Sequence, residues 1–289
     1  TTGSYNTAVG TDSMSANTTG QENVSMGWNS LDANTTGNYN VAIGASALGV
    51  NTTAASNTAV GYGSLTANTT GTANVAVGST AMAANTTADN NTGIGAASMN
   101  GNTTGTRNTA VGSDSLKVNT TGNDNTAVGK GALTANTTAS NNTAVGKNAL
   151  AANTTGANNT AVGKSALDAN TTGASNTVLG ADALSADTQG SRSVAIGTSA
   201  LEVQNFTTAT NTYNVAVGFN AGAAISTGTL NTAVGGLSLD ATTTGSYNTA
   251  VGYSAGGAIT TGESNVCIGY NAGDAITTGG ANTGLGAGA

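Results

Sequence analysis

Side chains that usually carry enzyme chemistry are scarce in this chain. Its 289 residues include no His, one Cys and only 13 Asp and Glu. The carboxylates are scattered over variable positions, such as Asp12, Asp114 and Asp182. Without His, the chain can form neither a Ser–His–Asp set nor a Cys–His metal cluster. We therefore expect no catalytic residue, no metal site and no cofactor.

Amides and hydroxyls are the chemistry that the sequence repeats. Asn-Thr-Thr recurs in one phase and matches the N-glycosylation acceptor sequence. The side chains could form buried hydrogen-bonded ladders or carry glycans. We favour ladders, because glycans about 4.8 Å apart along one edge would crowd each other. The asparagines concerned are Asn17, Asn34, Asn51, Asn68, Asn85, Asn102, Asn119, Asn136, Asn153 and Asn170.

Two further sets of side chains could bind ligands. Aromatic rings that flank a short apolar segment could stack on sugars, and the candidates are Trp28, Phe219, Tyr253 and Tyr270. Lysines recur at one position in three successive repeats, where they form either a solvated edge or a stripe for an anionic ligand. We favour the solvated edge, because stacked like charges repel and are screened in water. These are Lys130, Lys147 and Lys164.

The element that positions these side chains is a 17-residue repeat marked by one glycine. One insertion of four residues interrupts the period before Gly218. A repeat this short cannot bury its own apolar side chains, so neighbouring repeats must stack on it. We expect a positive φ at each marker glycine, at the corner after a strand. The marker glycines are Gly10, Gly27, Gly44, Gly61, Gly78, Gly95, Gly112, Gly129, Gly146, Gly163, Gly180, Gly197, Gly218, Gly235, Gly252, Gly269 and Gly286.

Three residues with period-2 alternation precede each marker glycine and predict a strand. The first is β-branched, the second is small and the third is large and apolar, as in Val41, Ala42 and Ile43. Because large apolar residues usually lie inside, we predict that positions one and three point into the coil. The small residue would then face outward, towards a closely packed partner. This face is the physical argument for an oligomer.

A second apolar column follows the marker glycine and is replaced in three late repeats. Leu or Met gives way to Gly at Gly222, Gly256 and Gly273, and an Ile appears three residues later, as in Ile259. Volume lost at one site and gained at the other indicates that both sites line the interior. The same position holds the first Asn of Asn-Thr-Thr in earlier repeats, so we expect those amides to stack inside or at the rim.

Composition excludes several classes of partner. The formal net charge of −7 is spread thinly and without a basic run, so we expect no nucleic-acid binding. The sequence has no run of 18 apolar residues, so we expect no direct membrane insertion. The chain begins with what reads as the end of a repeat, and we expect a segment of a longer protein.

The phrase from Asn40 to Ala47, Asn-Val-Ala-Ile-Gly-Ala-Ser-Ala, resembles the head repeats of trimeric autotransporter adhesins of the YadA-like type. The stretch from Asn248 to Gly262 is similar to repeat arrays of phage tail fibres. The resemblance implies a left-handed parallel β-roll that packs as a homotrimer at a cell or virion surface, outside the cell, with a host glycan or protein as receptor. The adhesin repeats are usually a few residues shorter, and the 17-residue length fits the tail-fibre arrays better.

We therefore predict an all-β, parallel β-solenoid with three regions. Residues 1–203 hold Leu-type repeats, residues 204–213 an insertion loop, and residues 214–289 mainly Gly/Ile-type repeats. The leading functional hypothesis is a structural, adhesive fibre that displays receptor-binding regions and is not an enzyme. The alternatives are an ice-binding solenoid, with Thr ladders such as Thr18, Thr35 and Thr52, and a filament subunit that joins head to tail.

Overall fold

A computed structural model describes residues 2–289, in which there are strands and no helix. Most strands are three residues long and end just before a marker glycine. The strands are β1 (Thr7–Val9), β2 (Val24–Met26), β3 (Val41–Ile43), β4 (Thr58–Val60), β5 (Val75–Val77), β6 (Thr92–Ile94), β7 (Thr109–Val111), β8 (Thr126–Val128), β9 (Thr143–Val145), β10 (Thr160–Val162), β11 (Thr177–Leu179), β12 (Gly190–Ser191), β13 (Val194–Ile196), β14 (Thr210–Asn211), β15 (Val215–Val217), β16 (Thr232–Val234), β17 (Thr249–Val251), β18 (Val266–Ile268) and β19 (Thr283–Leu285).

The chain forms two compact units, one up to Asn141 and one over Asn142–Ala289. In the first unit β1 to β8 pair in parallel with their chain neighbours, and each residue lies beside the residue 17 positions on, as Val41 does beside Thr58. In the second unit β9, β10, β11, β13 and β15 to β19 stack in the same way. Each unit is a parallel β-solenoid, which confirms the predicted fold class.

Hydrogen bonds between successive turns continue outside the strands. In the segment after the marker glycine, the Leu48 N–H donates to the Ser64 carbonyl at 3.0 Å. In the Asn-Thr-Thr segment, the Thr35 N–H donates to the Thr52 carbonyl at 2.8 Å. Since backbone polar groups must be paired when buried, this registry explains why a turn is stable only when it is stacked on another.

The marker glycines have positive φ, between 124° and 148°, as predicted. Their position also has no room for a side chain. A Cβ added to Gly44 would lie 2.6 Å from the Gly61 carbonyl oxygen of the next turn. The corner therefore requires glycine both for its backbone conformation and for the close approach of successive turns.

The predicted direction of the strand side chains is wrong. The small second residue is buried, as Ala42 and Ala59 are, whereas the β-branched first and large third residues are half-buried or exposed. The interior explains this parity. A Cβ added to Gly93 in the small position would lie 2.9 Å from Met82 Cγ, so even a methyl group there would require Met82 to shift. The opposite column thus fills much of the coil, and the largest residue that the small position holds is Val178.

That opposite column is the main apolar ladder of the interior. Leu31, Leu48 and Leu65 are fully buried, and Met82 and Met99 continue the ladder. These residues have φ near +50°, a left-handed conformation that costs an L-residue about 1–2 kcal/mol. Burial of the side chain offsets this cost, because a fully buried Leu contributes roughly 1.5–3 kcal/mol.

The exchange of Leu for Gly and Ile occurs as predicted. Gly256 has φ +61°, so its backbone keeps the conformation of the leucines that it replaces. A Cβ added there would lie 3.1 Å from Ile259 Cδ1 and 2.8 Å from Leu239 Cδ2. Ile259 is fully buried and occupies the space that a Leu would otherwise fill.

The four-residue insertion lies between β13 and β15. These strands still pair in register, Val194 with Val215, so the extra residues do not shift the stack. The segment contains β14, which pairs in parallel with β12 of the preceding turn. Phe206 from the insertion is buried against the solenoid.

Candidate interaction surface

Two ladders of asparagine line the interior of the first unit, and in the second unit the first of them continues only at Asn153 and Asn170. In the first ladder, the amide nitrogen of Asn68 donates to Asn51 Oδ1 at 3.1 Å and to the Gly71 carbonyl at 2.9 Å. In the second, which precedes the strands, the Asn57 N–H donates to Asn40 Oδ1 at 3.0 Å, and Asn57 Nδ2 donates to the Gly71 carbonyl at 2.9 Å. The amides therefore tie each turn to its neighbours.

Burial of the first ladder bears directly on the ten glycosylation candidates. All of them except Asn17 are fully buried, and Asn17 is half-buried. The amide nitrogen that would carry a glycan is the atom that donates within the ladder, as Asn85 Nδ2 does to Asn68 Oδ1 at 2.9 Å. The structure thus supports the ladder interpretation over glycan attachment.

The first ladder changes at Asp187, a buried residue at the Asn position next to the insertion. Its carboxylate accepts hydrogen bonds from the Gly190 N–H (3.0 Å), the Phe206 N–H (3.0 Å) and Gln204 Nε2 (2.6 Å). A carboxylate has no N–H to continue the ladder, and Asn170 Oδ1 is left without a donor. Asp187 therefore holds the insertion in place at the cost of one interior hydrogen bond.

In each unit the outward side chains of the strands form a feature that we call the strand stripe: the first and third residue of each three-residue strand. The third residue is apolar throughout, and Met26, Ile94 and Leu179 are all exposed. The first residue is Thr in 11 strands and Val in six. Eight strands about 4.8 Å apart give the stripe of the first unit roughly 300–400 Å², which is as large as the biggest apolar patch of a typical monomer.

Exposed columns flank the strand stripe on both sides. The leading edge is the residue two positions before each three-residue strand, and the trailing edge is the residue directly after the marker glycine. On the leading edge Tyr213, Leu230 and Tyr247 are exposed in successive turns. On the trailing edge Phe219, Tyr253 and Tyr270 are exposed, with Gly236 between the first two.

The four aromatic stacking candidates all lie on the trailing edge, but only two come together. Tyr253 and Tyr270 stack with ring centroids 5.9 Å apart and an interplanar angle of 12°. Phe219 is two turns before Tyr253, and Trp28 belongs to the first unit. Sequence reasoning missed Leu230, because one exposed Leu in a loop is no signal until the columns are aligned.

Charges along the edges are arranged as local pairs. Arg107 and Asp124 form a two-point ion pair at 2.7 and 2.8 Å on the leading edge, which lowers the pKa of Asp124 below its ordinary value. Lys130, Lys147 and Lys164 are all exposed on the trailing edge. Lys164 lies 3.5 Å from Asp182. The lysine column is solvated, as we favoured, and exposed pairs of this kind contribute little to stability.

The described part of the chain shows no other kind of site. Residues 2–289 contain no cluster of His, Cys, Asp and Glu that could hold a metal, and no pocket. Cys267 is buried in the small strand position, and burial raises the pKa of its thiol. None of these residues belongs to a helix that is long and apolar enough to span a bilayer.

Comparison with known proteins assigns no family. No protein-family model matches the chain, and no curated protein matches it in sequence. The strand stripe and its two edges are therefore the features on which a function can be proposed.

Proposed function

We propose that this chain is a structural segment of an extracellular fibre, in which the strand stripes of several copies pack against one another. The observation that carries the proposal is the outward apolar third residue of every three-residue strand. An apolar patch of this size is often functional, even where it is the largest that a single chain has. A second copy offers a surface of the same length and repeat, so the two stripes match turn for turn.

A homotrimer is the assembly that we favour. Cyclic symmetry turns the stripes of all copies towards one axis, where they leave water. The resemblance to trimeric adhesin heads and to tail-fibre arrays points to the same number. In such a fibre the polar turns face outward, and the segment extends and displays receptor-binding regions at a cell or virion surface.

Charged substitutions in the strand stripe test this proposal. Val60→Lys with Val77→Lys places two ammonium groups per copy in the shared interface, and we expect a shift from trimer to monomer in sedimentation equilibrium. Thr36→Lys with Thr70→Lys is the matched control, because both residues are exposed in the Asn-Thr-Thr turn. A stripe variant that remains a trimer would contradict the stripe as the interface, and an unmodified chain that is a monomer would contradict the assembly itself.

Ice binding is a second candidate, and the strands offer more regular outward threonines for it than the Asn-Thr-Thr turns do. The Asn-Thr-Thr ladders are not free arrays, since Thr35 Oγ1 donates to the Thr52 carbonyl at 3.0 Å and Thr69 Oγ1 to the Thr86 carbonyl at 3.1 Å. Regular outward threonines occur instead on the strands, as at Thr109 and Thr126. The irregular Met, Ile and Leu in the same stripe suit a protein partner better. Thermal hysteresis in a solution of the chain would favour ice binding, and its absence at high concentration would remove it.

A further inference from the structure

The residues on the leading edge of the strand stripe differ from those on its trailing edge, and this difference specifies which edges of two copies meet. The inference rests on the proposed trimer. Rotation about an axis parallel to the stack keeps every turn at its own height. It also brings the trailing edge of one copy against the leading edge of the next, because a cyclic trimer has head-to-tail contacts. Each turn then contacts the same turn of its neighbour across the seam.

We propose that the aromatic residues of the second unit form these seams between copies, and are not a sugar-binding platform. In the turn of β17 the seam pairs Tyr247 with Tyr253 of the next copy, and in the turn of β15 it pairs Tyr213 with Phe219. Both members of each pair are exposed in the single chain. Aromatic pairs attract each other beyond the area that they bury, through offset-stacked or edge-to-face contacts, which favours this register over a shifted one.

Complementary size supports the same pairing in the turns between and after these. In the turn of β16 the leading edge has Leu230 and the trailing edge has Gly236, so the large side chain meets no side chain. A Cβ at Gly236 would have only ordinary contacts within its own chain, the nearest at 3.6 Å from Tyr253 Cδ2. In the turn of β18 the small Ser264 faces Tyr270. Within the single chain Tyr270 stacks on Tyr253 and Arg192 lies over the Tyr213 ring, yet all three tyrosines remain exposed.

Charge supports it in the first unit. The turn of β8 is the only one with a charged residue on both edges, Asp124 on the leading and Lys130 on the trailing edge, and the charges are opposite. No turn has like charges on its two edges. Opposite charges across the seam favour equal heights, and like charges would have opposed them.

A cysteine pair within one turn tests the seam. Tyr247→Cys with Tyr253→Cys, in a Cys267→Ala background, puts one thiol on each edge of the same turn. The two Cα atoms of one chain lie on either side of a strand, roughly 15–20 Å apart, whereas a disulfide needs about 7 Å or less. A bond can therefore form only between copies, and we expect mild oxidation to give covalent trimers as the main product on a non-reducing gel.

Controls separate the seam from the trimer itself. Each single cysteine variant should stay uncrosslinked, because like edges do not meet. Tyr213→Cys with Phe219→Cys repeats the test in another turn in case the first pair disturbs folding. A chain that is trimeric in light scattering but forms no covalent trimer with either pair overturns the seam and leaves the fibre proposal standing. A monomeric chain overturns both.

Discussion

Leu-type turns and Gly/Ile-type turns solve the same packing problem with different residues. In the first unit, Leu65 in a left-handed conformation fills the coil and Asn68 continues the amide ladder. In the second unit, Gly256 takes the left-handed conformation and Ile259 fills the coil from the ladder position. The backbone hydrogen bond is the same in both, from Leu65 to the Ala81 carbonyl and from Gly256 to the Ala272 carbonyl.

The comparison shows what the fold fixes and what it leaves open. The backbone fixes a positive φ after the strand and a closed interior volume. Side chains can meet these demands with Leu and Asn, which accepts strain and gains the ladder, or with Gly and Ile, which removes the strain and ends the ladder. Where Leu239 returns, Thr242 Oγ1 donates to the Ile259 carbonyl at 2.9 Å, so the ladder position is polar again.

The largest change in stability is expected when the Leu of one type of turn is combined with the Ile of the other. Gly256→Leu should lower the free energy of unfolding by about 3 kcal/mol, because its side chain would collide with Leu239 and Ile259. Adding Ile259→Asn to this variant should recover most of the loss, since it removes the excess volume. Urea unfolding of both variants measures this coupling. Gly49→Ala serves as the control and should change stability little, because a Cβ there would make only ordinary contacts, the nearest at 3.4 Å from the Ser46 carbonyl oxygen. Equal stability of the single and double variants would contradict the exchange.

Removing one amide from the ladder should have the next largest effect. Asn68→Ala leaves the buried Asn51 Oδ1 and Gly71 carbonyl each without a hydrogen bond that Asn68 supplies, and we expect a loss of about 2–3 kcal/mol. Asn100→Ala is the comparison, because Asn100 is only half-buried and makes one bond to the Thr80 carbonyl. If both variants lost the same free energy in urea unfolding, the ladder would not be the stabilising feature.

A smaller difference in stability, between two variants of the same residue, tests the left-handed strain itself. Leu65→Ala and Leu65→Gly both remove the buried side chain and should cost roughly 2–5 kcal/mol. At an ordinary position Gly is the worse replacement, but at φ +50° we expect Leu65→Gly to be the more stable variant by about 1 kcal/mol. The order of the two urea midpoints decides the point, and the reverse order would mean that the position is not strained.

The smallest effect concerns Asp240, which follows Leu239 in a Leu-type turn. Partial burial raises the pKa of this carboxyl above its ordinary value. The folded state therefore binds the proton more tightly than the unfolded state, and this contribution to stability is present at acid pH and lost as pH rises through the folded pKa. Asp240→Asn should stabilise the chain at pH 7 by a few tenths of a kcal/mol, given the solvent screening, and the gain should vanish below the ordinary pKa of Asp. Thermal unfolding at both pH values would reveal it, and a gain confined to acid pH would contradict the assigned sign.

Periodicity alone was enough to predict the solenoid, its strands, its marker glycines and the Leu-to-Ile exchange, because each of these is a property of aligned repeats. The direction of the strand side chains was not predictable by the rule that large residues lie inside. Leu48 and the asparagines fill most of the interior, and the residues that fit beside them are small, as Ala42 is. A count of inward volume per turn would have indicated this parity.

Features that depend on a single turn were out of reach. Asp187 was one carboxylate among several until its three donors were in place, and Leu230 was an ordinary exposed residue until the columns aligned. The strand stripe matters because the first and third strand residues point outward and not inward. Its large residues are outside, so the face that invites a partner is apolar and β-branched, and not the flat small-residue face that sequence reasoning favoured.

Molar mass in solution tests the central claim most directly. Size-exclusion chromatography with light scattering on the unmodified chain should give about three times 27.4 kDa if the strand stripes of three copies close around one axis. A single species at 27.4 kDa that persists as concentration rises would contradict the account, because the stripe would then face water in the native protein.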